Sequence, residues 1–244
     1  MSRLIKRLVR ARAESGHTLI ELVVSMAIGM GILLIAFHLL DRSLGLTREV
    51  SDRVEAVQKG RLAMDTMTRQ LRSQVCLPTT SVLNGMEAAV VSADGDAVTF
   101  YSNLGTTGVP ERNTFAFNEA AKTITHTQVK GSGTAGAPPI TFTAAPKVTT
   151  MLTNAARNGA SPATAPVFKY YGFNTAAVPP SPTTLLGPVP LTQIQRESTA
   201  RIVISFVSRP PQAKTTNKKA AVLTDEIFVR SADPNDPAPV PKCA

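Results

Sequence analysis

With 244 residues, 43% of them hydrophobic, the chain has apolar material for one globular domain plus an extended element, and too little length for two full domains. Aromatics are scarce at 5% and Trp is absent, so a core has to come from Val, Ile, Leu, Ala and Phe. The formal charge is +9, but without residues 1–16 (Arg3, Lys6, Arg7, Arg10 and Arg12 against Glu14) it falls to +5; the basicity is largely an N-terminal feature and not by itself a nucleic-acid footprint.

The first element is an apolar run, Leu22 to Leu40, of 19 residues with no Asp, Glu, Lys or Arg. As a helix it spans roughly 29 Å, the thickness of a bilayer core. The basic cluster ahead of it predicts a cytoplasmic N-terminus, with everything after Asp41 across the membrane. A secretory signal carries its small-residue cleavage site after the apolar run. Here the processing candidate, Glu14-Ser15-Gly16, comes before it, and His17-Thr18-Leu19-Ile20-Glu21 follows.

The block Gly16-His17-Thr18-Leu19-Ile20-Glu21 resembles the type IV prepilin signature. The resemblance implies cleavage after Gly16 by a prepilin peptidase and N-methylation of the new terminus at His17. His17 stands where the family usually has Phe, and His38 stands where many members have a kinking Pro. Glu21 takes the fifth position after the cut. A carboxylate in apolar surroundings costs roughly 3 kcal/mol or more and is kept where it has a partner. The resemblance supplies the free ammonium of a neighbouring subunit, which gives Glu21 a role in assembly. The alternative is a Glu flanking an ordinary signal anchor. Gly29 and Gly31 lack the GxxxG spacing, and His38 reads as an interfacial residue near the outer end of the span.

From Asp41 to Val75 there is no Pro, and apolar residues at 46, 50, 54, 57, 64, 67, 71 and 75 draw one stripe on a helix. Glu49–Arg53 and Asp65–Arg69 suit a solvated opposite face. The helix is expected from about residue 17 to 76, with Pro78 ending it and the stripe seated on the chain's own sheet, the alternative being a coiled-coil partner. Its second half, Lys59 to Arg72, also looks like minor pilins and pseudopilins of the W and J kinds.

Beyond Pro78, strand-like runs alternate with turns: Ala88–Ser92, Ala97–Ser102, Asn113–Asn118, Thr123–Gln128, Val167–Phe173, Arg201–Ser208 and Glu226–Ser231. Asp94-Gly95-Asp96 and Glu119 to Lys122 read as hairpin turns. Stretches 131–139, 155–166 and 176–190 read as loops, and the Pro-rich tail 233–241 as irregular. One long helix followed by strands predicts an α+β fold, an antiparallel sheet packed on the helix. The expected organisation is a leader (1–16), a transmembrane half-helix (17–40), an amphipathic half-helix (41–76) and an extracytoplasmic β-rich domain (77–244).

Cys76 and Cys243 are the two cysteines, and an exported domain favours a disulfide between them over two free thiols. Closing so long a loop is worth on the order of 5 kcal/mol in the chain-entropy model. No GxSxG, HExxH, Walker or GxGxxG pattern occurs, so the sequence offers no catalytic constellation, no metal site and no cofactor. Asp94 to Asp96 and Asp233 to Asp236 could offer oxygens to calcium, though as turn residues they need no ion. The expected function is therefore a minor pilin or pseudopilin, not an enzyme. It would prime or cap a type IV pilus or a type II secretion pseudopilus at the inner membrane. Its partners would be the prepilin peptidase, other subunits, the membrane and the assembly platform. The alternative is a pilus-borne adhesin or DNA-uptake subunit, whose support is the basic loop Lys214, Lys218 and Lys219 near Arg209.

Overall fold

The computed structural model describes residues 18–78, 86–104, 108–159, 161, 164–174, 176–177, 180–210 and 220–229. One helix, α1 (Leu19–Arg72, 54 residues), precedes all the strands. The chain falls into two compact units, Met1–Ser51 and Asp52–Ala244, and α1 contributes to both. In the second unit α1 packs on an antiparallel β domain, the α+β arrangement expected from the order of elements.

Helix α1 ends at Arg72, four residues short of the expected limit. The reason is tertiary: Gln74 bridges to Ser102, and the Val75 N–H donates to the Tyr101 carbonyl at 3.0 Å. Sheet pairing thus takes the chain before Pro78 can end the helix. The buried stripe also starts later than the spacing suggests. Ala56, Gly60, Ala63, Met64, Met67, Thr68 and Leu71 are buried, whereas Leu46, Val50 and Val54 are exposed. The contact face is thus partly one of small residues.

The strands form two five-stranded antiparallel sheets rather than one. The first is a meander of β3 (Val90–Ala93), β4 (Ala97–Ser102), β5 (Glu111–Asn118), β6 (Thr123–Lys130) and β7 (Lys147–Thr153), in that order. The second runs β10 (Ser181–Leu185), β9 (Phe168–Asn174), β11 (Arg201–Ser208) and β12 (Ala221–Phe228), with β8 (Ala155–Ala156) on the end of β11. A two-residue pair, β1 (Leu77–Pro78) with β2 (Met86–Glu87), follows the helix. A short helix, α2 (Gln193–Glu197), is opened by a Thr192/Gln195 capping box.

Strands β4 and β11 match their expected limits, and the turns at 94–96 and 119–122 join consecutive strands. Strand β7 was absent from the expected set, and β8 and β10 lie in stretches read as loops. These are short or exposed edge segments whose strand state comes from a neighbour's free backbone groups, not from an apolar alternation. Strand β12 begins at Ala221, five residues before the expected start, because it follows β11 through eight consecutive pairs.

Alternate residues of both sheets meet the α1 face in one core. Val98, Phe100, Phe115 and Ile124 come from the first sheet, and Phe168, Tyr170, Ile202, Ile204, Phe206 and Ile227 from the second. Met67 and Leu71 are fully buried among them. At Gly60 the helix backbone lies close against the second sheet. Nearby, the Ser208 hydroxyl donates to the Ala56 carbonyl at 2.7 Å, satisfying both in the interior. A Cβ on Gly60 would overlap Leu223 Cδ1 and stand 2.9 Å from Ser208 Cβ.

Alanine at mid-helix normally stabilises by about 1 kcal/mol over glycine. Here the overlap dominates, so Gly60→Ala should destabilise the detergent-solubilised chain by about 1–2 kcal/mol. Thermal unfolding checks it, and Leu223→Ala in the same background should recover part of the loss. A Gly60→Ala protein at least as stable as the parent would show that the approach is not tight.

Candidate functional site

The N-terminal site begins at the first turn of α1. The Thr18 carbonyl accepts from the N–H of Glu21 at 2.9 Å and of Leu22 at 3.2 Å. Glu21 is the acidic residue of that turn, where the helix dipole favours a carboxylate. Gly16 and His17, the expected cleavage and methylation positions, lie outside the described residues, as does the leader.

After Glu21 the helix is apolar on every side, and its large residues are exposed: Leu22, Val23, Val24, Met26, Ile28, Ile32 and Phe37 each by half or more. A surface helix in water shows one apolar stripe, so apolarity all round calls for a non-aqueous surrounding. The one hydroxyl in the run is satisfied within the helix, Ser25 donating to the Leu22 carbonyl at 2.9 Å. Among the described residues one helix is long and apolar enough to cross a membrane, and it is this one. His38 is exposed on it.

At the other end, Cys76 is half-buried just past α1, and no described cysteine is a free thiol. Cys243 lies outside the described residues, as do Lys214, Lys218 and Lys219 of the basic loop and Asp233 to Asp236. Among the described residues no three His, Cys, Asp or Glu converge on a metal-sized site.

Two polar constellations escaped the sequence reading. In the first, buried Arg157 forks onto both carboxylate oxygens of Asp96 and reaches Glu119 Oε2 at 3.4 Å. Its guanidinium lies 5.1 Å from the Phe117 ring centroid. Donating hydrogen bonds to the Asp96 carboxylate raises the Arg157 pKa further. This ties the 94–96 and 119–122 turns to the segment after β8. The first turn is also held from the second sheet, by Tyr170, whose hydroxyl donates to the Asp94 carbonyl at 2.8 Å, and by the Phe168 N–H, which donates to the Gly95 carbonyl at 2.9 Å. Burial pushes the Tyr170 pKa well up. The Asp96 carboxylate is thereby committed to an arginine, a packing role rather than a cation ligand. A lone Arg in a small-residue stretch gave no sequence signal, because its partners are 61 and 38 residues away.

The second constellation crosses the first sheet on its core-facing side. His126 Nε2 lies 2.8 Å from Asn113 Oδ1, and Asn113 Nδ2 donates to Ser102 Oγ at 2.8 Å. Asn113 and Ser102 are each 1% exposed. Gln128 donates to Glu111 at 2.6 Å alongside. Nearby, burial and the Glu87 carboxylate push the Tyr101 hydroxyl up to about 12. This ladder closes the polar end of the core by mutual hydrogen bonding.

Burial holds the His126 pKa below its usual 6.5, with Lys147 adding to the effect and Glu111 opposing it. The unfolded chain therefore takes up this proton first as pH falls. The contribution to stability is complete above about pH 6.5 and is lost as pH drops through the depressed folded value. His126→Gln should flatten the stability–pH slope just below pH 6.5, by at most about 1.4 kcal/mol per pH unit. Urea unfolding at stepped pH measures it; an unchanged slope would assign the acid sensitivity elsewhere.

Compared with protein-family models and with curated proteins, the sequence matches none.

Proposed function

We propose that this chain is a type IV pilin-like subunit of the minor pilin or pseudopilin kind. It would be trimmed after Gly16, N-methylated at His17, anchored in the inner membrane and built into a pilus or pseudopilus. The observation that carries the reading is a junction. The block Gly16 to Glu21 stands directly before a helix segment apolar on all sides, and the same helix continues as the packing element of a β domain. An ordinary signal anchor requires neither the Gly–Glu register nor that continuity. The N-terminus would face the cytoplasm and the β domain the other side. The globular part then acts as a filament-borne body and not as a catalyst.

In this mechanism the peptidase exposes an ammonium at His17. During assembly the carboxylate of Glu21 and the ammonium of a neighbour meet within the apolar helical bundle. The pairing offsets the cost of burying either charge alone and fixes the stagger between subunits. We also propose that Cys76 and Cys243 are joined after export, fastening the Pro-rich tail at the end of α1.

Intact mass of membrane-extracted protein should show loss of residues 1–16, and Gly16→Leu should block it. Glu21→Ala should still be processed and folded but fail to enter filaments made by the wild-type machinery. Glu21→Lys should fail more severely than Glu21→Gln, because it sets like charges together. Incorporation and filament number are measured after shearing. Wild-type values for Glu21→Lys would end the structural-subunit reading and favour the anchored-binder alternative.

For the disulfide, non-reducing peptide mapping of exported protein should recover the Cys76 and Cys243 peptides as one species. Two alkylatable thiols in that material would refute the pairing.

A further inference from the structure

We propose that the outer edge of β12 receives an extended, acid-bearing segment of another protein chain as an added strand. Besides the two-residue β8, the two five-stranded sheets have four edge strands, and three of the four are poorly suited to this. Strand β3 has four residues and a register shift between Val90 and Ser92. Strand β10 contains Pro182 and shifts between Ser181 and Thr184. Strand β7 opens with Lys147, and its pairing with β6 is irregular at Ile124/Thr125. Such features keep an edge from pairing further. Strand β12 has none of them: eight residues, no Pro, and unbroken register against β11. Among the described residues β12 pairs with β11 alone, and a strand added on its other side would meet alternate backbone groups along Ala221–Phe228.

The chemistry of the incoming strand is set by α1, which runs beside this edge. Two grooves lie between them. One, of about 470 Å³, is lined by Arg69, Arg72, Ser73 and Phe228. The other, of about 270 Å³, is lined by Arg61, Arg72, Leu223 and Thr224 together with Asp65 and Asp225. Arg61, Arg69 and Arg72 are exposed. None forms an ion pair with a described residue. The two aspartates balance the second groove, whereas the described residues of the first carry positive charge alone. An added strand therefore places its Asp or Glu at the Phe228 end, within reach of Arg69 and Arg72. Toward Ala221 it carries small apolar or hydroxyl residues, beside Leu223 and Thr224. Backbone pairing supplies affinity, and the arginines supply direction and register. This surface stands or falls independently of the filament reading.

The test uses the full chain in detergent and two synthetic twelve-residue peptides of alternating Val and Thr, one closed by two Asp and the other by two Lys. Fluorescence anisotropy should give at least tenfold tighter binding for the Asp peptide. Hydrogen exchange should slow at alternate amides of Ala221–Phe228 when it binds. Arg69→Gln with Arg72→Gln should remove the preference while leaving the thermal midpoint unchanged. Equal binding of the two peptides, or no added protection on β12, would overturn the proposal. It is also overturned if the β12 amides are already protected without peptide. Loss of that protection on removing residues 230–244 would assign the edge to the chain's own tail, and a rise with protein concentration would assign it to a second copy.

Discussion

Where α1 meets β11 and β12, backbone approaches sheet more closely than most side chains permit. Ala56, Gly60 and Ala63 make the helix face thin there, and Ser208 uses the gap to reach the Ala56 carbonyl. The rest of the β domain depends on this contact. With the helix seated, Met64, Met67 and Leu71 reach the residues that both sheets turn inward. Without it, each sheet would present an uncovered apolar face, since neither closes on itself. The hydroxyl matters as much as the missing Cβ, because it supplies a partner within the interior, where an unmatched donor is costly.

The same helix meets two different physical demands along its length. Over residues 22–40 it carries no charge and no preferred face, and its backbone groups bond within the helix, an arrangement that could cross a membrane. Over its second half it has a buried side of small and sulfur-containing residues and a charged side that includes the Glu55–Lys59 pair. That pair is exposed and of little energetic consequence. It marks a solvated face.

The β domain holds its turns by charge and its sheet end by neutral hydrogen bonds. Arg157 gathers Asp96, Glu119 and the Phe117 ring, so two hairpin turns share one cation. At the far end of the same sheet Ser102, Asn113 and His126 satisfy one another in sequence. Both arrangements use residues common on protein surfaces, made structural here by burial. They rigidify the first sheet, while among the described residues β12 of the second pairs on one side alone.

Much of the fold was legible in the residue order. The apolar run without charges, the Pro-free stretch to Val75, the strands Ala97–Ser102 and Arg201–Ser208 and both hairpin turns follow from local periodicity and turn chemistry. The Gly16-to-Glu21 block, with its register against the span, is also a purely local pattern. What only the tertiary structure decided has a common cause: each feature takes its state from a partner distant in sequence. Helix α1 stops at Arg72 because β4 captures Gln74 and Val75. Strands β7, β8 and β10 exist because a neighbour had free hydrogen-bonding groups, though their own residues carry little strand pattern. The strands divide into two sheets whose inward residues share one core with the α1 face. Arg157 and His126 acquire roles from residues that periodicity cannot bring together. A sequence determines which faces must leave water; the assembled chain determines what they meet.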